Sequence, residues 1–143
     1  MNFVRLGDVA VVIAGQSPKG ENYNKSGEGM PFYQGKKDYG DKFLKPPTVW
    51  TKFITKIART GDLLFSVRAP VGALNFATQE ICIGRGLAAI RVKSSINRNY
   101  LFYALSNISN NLNVNTGAIF NSISKKQIED IKFYLPPLSE QQR

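Results

Sequence analysis

Three short stretches have residue types and spacings that occur in cofactor or catalytic sites. "GRGLAA", residues 84–89, fits the G-x-G-x-x-A pattern of dinucleotide-binding loops. "GQSPKGEN", residues 15–22, has the glycine spacing of a phosphate-binding loop. Glu129, Asp130 and Lys132 have the residue types of half of a metal-dependent nuclease site. Whether any of this chemistry is available depends on the elements that would position these residues.

None of the three stretches has the surroundings that its chemistry requires. "LAAIRV" follows the first one and predicts a strand, whereas a dinucleotide site needs a helix N-terminus for the pyrophosphate. In the second, Glu21 and Asn22 stand where Lys and Ser or Thr would hold phosphate and magnesium. The acidic pair has no further acidic residue at an obvious spacing, which favours a solvated helix end. We therefore expect no cofactor and no metal.

Residues for nucleophilic catalysis are also scarce. The sequence has no histidine, which removes Ser-His-Asp and Cys-His systems, histidine metal ligands and the commonest general base. The single cysteine, Cys82, lies in the apolar run "EICIG" and predicts a buried thiol, so no disulfide framework or cysteine-based zinc site can form. These absences argue against a stand-alone enzyme.

The charge of the chain favours a polyanionic partner. Nineteen Lys and Arg against ten Asp and Glu give a net charge of +9 over 143 residues, which suits nucleic acid or an anionic membrane surface, although a merely soluble basic protein remains an alternative. No stretch approaches the ~18 apolar residues of a membrane span, and no basic amphipathic helix stands out. We therefore expect a cytoplasmic protein with a nucleic-acid partner and no membrane contact.

Basic and aromatic residues alternate in residues 33–53, "YQGKKDYGDKFLKPPTVWTKF". Lysines bind phosphate, and Tyr and Gln can reach base edges, so the stretch could form a DNA-facing loop. The alternative is an exposed loop that its aromatic side chains fasten to the core. From residue 81 to residue 128 there is no acidic residue, whereas six Lys and Arg occur, which suits a face that meets phosphates.

The first 92 residues predict a sheet, because short β-rich runs are separated by Gly and Pro. After Asn97, a plausible N-cap, Leu101, Leu105, Ile108 and Leu112 recur at helical spacing and predict an amphipathic helix. The overall expectation is a mixed, β-rich α/β fold.

Three signals follow near the end of the chain. "SKKQIEDI" predicts a short helix that begins at Ser124, and "IKFYLPP" predicts a strand that Pro136 terminates. Ser139 and Gln142 have the spacing of a capping box, which predicts the start of another helix. One turn of helix is marginal alone, so this start signal raises the question of what the helix packs against.

Several stretches, in their order, resemble the target recognition domain of a type I restriction-modification specificity subunit. They are "GQSP", "PFYQG", "GDLLFSVRAPVG", "IGRGLAAIR" and "NSISKKQIEDIKFYLPPLSEQQ", and together they span nearly the whole chain. The resemblance implies a single α/β target recognition domain, residues 1–138, with a twisted sheet and a few helices. Residues 139–143 would then begin a long spacer helix that pairs with a counterpart behind a second recognition domain.

The resemblance also implies a non-catalytic role. In that family the specificity subunit only chooses the DNA sequence, while modification (methyltransferase) subunits and a restriction subunit perform the chemistry. This single domain would select one half of a split double-stranded DNA target. The adenine methyltransferase signature Asn/Asp-Pro-Pro-aromatic is absent, since "KPPTVW" and "LPPLSE" have only the prolines. An RNA-binding module is the alternative, although no RNA-recognition signature is present.

We predict a DNA-binding surface built from loop residues. Lys36, Lys37, Tyr39, Arg68 and Arg85 are predicted to lie near the DNA. Base or sugar contacts are predicted for Gln16, Ser17, Gln34, Asn115, Thr116, Asn121 and Ser122. Arg68 and Arg85 have an alternative role, in which they brace the fold through carboxylates such as Asp62 or Glu80.

Overall fold

The computed structural model describes residues 2–93, 96–114 and 122–141, and in this part of the chain short strands alternate with a few helices. In chain order the elements are β1 (Asn2–Arg5), α1 (Leu6–Val9), β2 (Ala10–Ala14), β3 (Tyr23–Asn24), β4 (Met30–Tyr33), β5 (Trp50–Thr51), β6 (Ile57–Ala58), β7 (Leu63–Ser66), β8 (Leu74–Phe76), β9 (Ile81–Ile83), β10 (Leu87–Val92), α2 (Arg98–Val114), α3 (Lys125–Glu129), β11 (Lys132–Leu135) and α4 (Leu138–Gln141). Short 3-10 turns lie at Gly20–Asn22 and Lys36–Asp38. The mixed, β-rich class predicted from the sequence is confirmed.

The strands form three sheets in the order β1-β11, β2-β10-β7-β8 and β3-β5-β4-β9-β6. The sequence suggested that the strands of the first 92 residues share one sheet, whereas the structure divides most of them between the four-stranded and the five-stranded sheet. The reason is that β7 and β10, the central strands of the four-stranded sheet, are apolar on both faces. The helices cover one face of that sheet, so a second sheet must cover the other. Strand β1 pairs instead with β11, antiparallel.

Side chains of β7 and β10 alternate between two hydrophobic cores. Leu63 and Phe65 belong to the core that includes α1, α2 and α3, while Leu64 belongs to the core shared with the five-stranded sheet. Leu87 and Ala89 of β10 join Leu64 in that second core. Successive residues of a strand point to opposite faces, so a continuous apolar run such as "LLF" means burial on both.

Local capping signals place two helices where the sequence predicted them. The N–H of Tyr100 donates to the Asn97 side chain at 3.1 Å, which makes Asn97 the N-cap of α2. Helix α3 begins after Ser124, whose side chain forms a capping box with Gln127. Leu101 of α2 and Ile128 of α3 are fully buried in the helix-side core.

The C-terminal helix begins two residues earlier than the sequence signal indicated, since a capping box at Ser139 would make residue 140 the first helical residue. Strand β11 ends at Leu135, as predicted, and α4 starts at Leu138, so Ser139 lies inside the first turn and is not its N-cap. The carbonyl of Pro137 accepts from the N–H groups of Glu140 and Gln141. Proline can occupy this position because its fixed φ suits a helix start and because proline has no backbone N–H that would need a partner. Gln142 lies outside the described residues.

Gln141 fastens α4 to the rest of the domain. Its side chain is buried, with 4% exposed. The Nε2 donates to the Pro136 carbonyl at 2.8 Å, and the Oε1 accepts from the Asn97 N–H at 2.7 Å. A C-terminal glutamine therefore satisfies a backbone donor at the start of α2, which helix termini otherwise leave open.

Replacing Gln141 with Ala should lower the free energy of unfolding by about 1–3 kcal/mol, because the buried Asn97 N–H and Pro136 carbonyl lose their partner. Denaturant unfolding measures the change. The exposed neighbour Glu140 supplies the control, since Glu140→Ala removes a side chain from the same helix without this pair of bonds. Equal stabilities of the two variants would contradict the assigned contact.

Candidate nucleic-acid interface

Six short segments lie side by side at one end of the two larger sheets. They are residues 16–17, 34–37, 55–56, 67–68, 84–86 and 122–123, and together we call them the loop row. Four of them follow the C-terminal ends of β2, β4, β7 and β9 directly or within two residues. Strand ends bring the segments to one place, and loops at strand ends are where binding residues commonly lie.

Hydrogen bonds join the first segments of the loop row. Thr55 Oγ1 donates to the backbone carbonyl of Gln16. The Gln16 N–H in turn donates to the Ile83 carbonyl at 3.0 Å, next to Gly84. On the other side of this segment, the Gly86 N–H donates to the Gln34 carbonyl at 3.0 Å. The loops around Gln16 and Gln34 are therefore linked through residues 83–86.

The remaining segments continue the same series of bonds. The Val67 N–H donates to the Gly86 carbonyl at 3.0 Å, and the Ile123 N–H donates to the Val67 carbonyl at 2.8 Å. Arg68 and Ser122 form an antiparallel bridge beside these bonds. The backbone of the row is thus fixed by pairing between segments that are far apart in the sequence.

Three glycines allow the segments to approach each other so closely. A Cβ on Gly15 would lie 1.9 Å from the Gly84 carbonyl oxygen, and one on Gly86 would lie 2.6 Å from the Gln34 carbonyl oxygen. A Cβ on Gly84 would meet the Gln34 Oε1 at 2.4 Å. The glycines of "GRGLAA" therefore serve close backbone packing and lead into β10, the strand that the sequence predicted.

A short relay of hydrogen bonds orients the Gln34 amide. The Arg85 N–H donates to Ser17 Oγ at 3.1 Å, and Ser17 Oγ donates to Gln34 Oε1 at 2.6 Å. The second distance is typical of an O–H···O bond and shorter than most N–H···O bonds, which places the amide oxygen on the serine. The Gln34 NH₂ group makes no hydrogen bond within the described residues and is exposed. It is a fixed donor that faces solvent.

The loop row carries positive charge without compensating acids. Its segments contain Lys36, Lys37, Lys56, Arg68 and Arg85, and no Asp or Glu. Lys36 Nζ donates to the Pro70 carbonyl at 3.1 Å, and partial burial lowers the pKa of this ammonium. The other four side chains are exposed. Such a surface attracts a polyanion over the Debye length of about 8–10 Å.

Eight of the predicted contact residues lie in the row, namely Gln16, Ser17, Gln34, Lys36, Lys37, Arg68, Arg85 and Ser122. Asn115, Thr116 and Asn121 lie outside the described residues. Residues 34, 36, 37 and 68 line one shallow depression, and residues 16, 17 and 85 line another. The Ser17 to Gln34 bond joins the two depressions. The structure thus brings together residues that are up to 106 positions apart, from Gln16 to Ser122.

Tyr39 is the predicted contact residue that points inward. Its ring packs against the core shared by the two larger sheets, and its hydroxyl donates to the Ala73 carbonyl at 3.2 Å. Burial raises the pKa of this phenol. Tyr33 is held in the same way by the Lys45 carbonyl at 2.6 Å, and burial raises its pKa to about 12. Both aromatics fasten the loop to the core, while the lysines between them stay at the surface.

The alternative in which Arg68 or Arg85 braces the fold through Asp62 is wrong. This buried carboxylate accepts two hydrogen bonds from Arg91, at 3.1 and 2.8 Å, and one from the Arg59 N–H at 2.8 Å. Within the described residues, neither Arg68 nor Arg85 forms an ion pair with Glu80 or any other carboxylate. Their guanidinium groups therefore remain available to an external anion.

The row also includes residues that the sequence did not single out. Thr55 and Lys56 lie just beyond the basic and aromatic stretch, which we ended at residue 53. The signal that could have extended it is the continued alternation of Lys with apolar residues in "TKFITKI". The Thr55 side-chain bond to the Gln16 carbonyl and the backbone bond between Lys56 and Ile83 have no local sequence signal.

Asp130, one of the two acidic residues considered for a nuclease site, forms ion pairs with basic residues of the same domain. Asp130 pairs with Arg5 at 2.9 Å and with Lys126 at 3.3 Å, and the hydrogen bond from Arg5 lowers the pKa of the carboxyl. Among the described residues, no three Asp, Glu or Cys side chains come together in a way that could hold a metal ion. No helix in that part of the chain has the length and apolar character needed to span a bilayer.

Known proteins match this sequence and this fold. The pattern of the type I restriction modification DNA specificity domain matches residues 1–143. A putative type I restriction enzyme MjaX specificity subunit from Methanocaldococcus jannaschii is 46% identical over 132 residues, which cover 91% of this chain and 31% of that protein.

Solved structures give the same result. The HsdS subunit from Thermoanaerobacter tengcongensis is 45% identical with a TM-score of 0.88, over 99% of this chain and 34% of that chain. A chain from a structure of complex assembly and conformational transition in the type I R-M system is 47% identical with a TM-score of 0.90. The match covers 99% of this chain and 35% of that chain. The S subunit of the type I restriction-modification system from M. genitalium shares the fold alone, since it is 12% identical with a TM-score of 0.65. That match covers 92% of this chain and 33% of that chain.

This chain spans about a third of the length of these relatives. The family match covers every residue, and the two solved structures above 40% identity agree with it in both sequence and fold. The chain belongs to the type I restriction modification DNA specificity domain family.

Proposed function

We propose that the chain is a DNA target recognition domain that reads part of a double-stranded target through the loop row. The observation that carries the proposal is the unpaired positive charge of the row around a fixed amide donor, Gln34. Lysines and arginines meet phosphates regardless of sequence, and an oriented amide discriminates among base edges. The chain itself performs no catalysis, and target choice is its contribution.

Partner subunits supply the chemistry in this proposal. Two of the relatives are a putative type I restriction enzyme specificity subunit and an HsdS subunit, and another comes from a structure of complex assembly in the type I R-M system. By analogy, a modification subunit methylates the selected DNA, and a restriction subunit cleaves DNA that lacks the mark. The complex would act in the cytoplasm, where the cell's DNA lies.

A binding selection tests the core of the proposal. The chain is incubated with a pool of duplex DNA that has a randomised core, and the retained duplexes are sequenced over several rounds. Enrichment of a short defined sequence is expected. An equal-length duplex RNA, the probe for the alternative function, should compete weakly. Recovery of a random set of duplexes, or equal binding of the RNA, would contradict sequence-specific DNA recognition.

Replacing Lys36 and Lys37 together by Ala should weaken binding to all duplexes alike, because these side chains contact phosphates in this proposal. Each lost phosphate contact should reduce the slope of log K against log salt by about 0.9. The control is Lys93→Ala with Lys132→Ala, which removes the same charge from exposed positions outside the loop row. If both double variants lost affinity equally, net charge and not this loop would explain the binding.

Replacing Gln34 by Ala should change which sequence is selected, since the variant loses the fixed NH₂ donor. A good bidentate base contact contributes about 1–3 kcal/mol of discrimination, so the preference at one position should relax. The exposed Gln79, in the turn before β9, provides a control of the same residue type. An unchanged selected sequence for Gln34→Ala would remove this residue from base recognition.

We further propose that residues 139–143 belong to a spacer helix that continues beyond Arg143 and assembles with the modification subunit. The greater length of the relatives supports this extension. An extended chain should co-purify with a modification subunit of the same restriction-modification system, and residues 1–143 alone should be retained poorly, because a helix of about one turn is only marginally stable. Equal capture of both chains would show that the helix is not the element of assembly.

A further inference from the structure

An exposed apolar patch adjoins the loop row. It comprises Phe53, Ile54 and Ile57, whose side chains are 59%, 44% and 37% exposed. The patch belongs to the segment 52–57, "KFITKI", which we call the Phe53 loop. Exposed apolar side chains beside a charged surface mark a candidate contact site.

The Phe53 loop is held at both ends. At its start, the buried Thr51 hydroxyl accepts from the Phe53 N–H at 3.1 Å and donates to the Phe53 carbonyl at 3.0 Å. At its end, the Lys56 carbonyl accepts from the Ile83 N–H at 2.9 Å. The apolar side chains are therefore presented on a fixed backbone, which lowers the entropy lost when a partner binds.

The position of the patch identifies the kind of occupant. Thr55, in the middle of the Phe53 loop, donates to the carbonyl of Gln16, so the patch continues the loop row directly. Lys52 and Lys56 are exposed on either side of Phe53 and Ile54, and Lys52 pairs with Glu28 at 3.4 Å in a contact open to solvent. Apolar side chains next to lysines, adjoining a loop row that contains no Asp or Glu, match a polyanion that also exposes apolar groups.

Duplex DNA has such a group in the thymine 5-methyl, which lies in the major groove and is read by apolar side chains. A wedge inserted between bases would need a side chain that projects far from its neighbours. Ile54 and Ile57 are more than half covered, and the Thr51 hydroxyl holds both backbone groups of the more exposed Phe53, so the patch suits contact with a methyl group.

We infer that Phe53 and Ile54 pack against thymine methyl groups of the bound target, with Lys52 and Lys56 at the adjoining phosphates. The inference rests on the proposed function and adds a class of base contact to it. The polar part of the loop row reads hydrogen-bonding edges, and the Phe53 loop reads a methyl group. Together they make recognition depend on two kinds of base feature.

The test uses the duplex selected by the wild-type chain and the same duplex with thymines replaced one at a time by deoxyuridine, which lacks only the methyl group. At one or two positions the wild-type chain should lose about fourfold in affinity, the effect of one buried methyl group. For Phe53→Ala the penalty at such a position should disappear. Phe3→Ala is the control, because Phe3 is 71% exposed on β1, outside the loop row, and this variant should keep the penalty.

Three results would overturn the inference: a selected duplex without a required thymine, a wild-type chain indifferent to every deoxyuridine, or an unchanged penalty in Phe53→Ala. The first two use the wild-type chain and do not depend on the folding of any variant. Indifference of the wild-type chain would assign the patch to a protein partner instead. Failure of the proposed function is a different result, since the wild-type chain would then select no sequence.

Discussion

The burial of β7 and β10 on both faces is the constraint on which the rest of the structure depends. Their alternate side chains enter two cores, one shared with helices and one shared with the five-stranded sheet. Because neither strand has a solvent face, the two flanking layers must lie on opposite sides of the same sheet. The ends of strands from both sheets are then brought to a common edge, and the loop row forms there.

Close packing of backbone at this edge leaves side chains free to face outward. Most links between segments of the loop row join backbone N–H and carbonyl groups, and of the polar side chains Thr55 and Ser17 add bonds to the backbone of a neighbouring segment. Gly15, Gly84 and Gly86 make that possible, because a Cβ at any of them would collide with a neighbouring segment. A rigid backbone with free side chains is suited to recognition, since little ordering is required when a ligand binds.

Polar groups that are buried elsewhere serve the scaffold. Asp62 with Arg91, Asn75 with Gly40 and Gln141 with Asn97 each join segments distant in sequence. Within the described residues, no buried side-chain nitrogen or oxygen lacks a partner. Arg68 and Arg85 are exposed and form no ion pair with a described carboxylate, and this contrast separates the residues that stabilise the domain from those available to a ligand.

What the sequence determined by itself was local in origin. Asn97 and Ser124 were identified as helix starts because a cap bonds to an N–H three residues away, and the apolar runs of β7 and β10 mark buried strands. The motifs were sufficient to indicate the family, which the comparisons confirmed. The tertiary structure alone decided that Tyr39 turns inward, that Arg91 is the partner of Asp62, and that Thr55 meets Gln16. Such contacts depend on how sheets stack and which strand ends meet, and no local pattern of side chains encodes that arrangement.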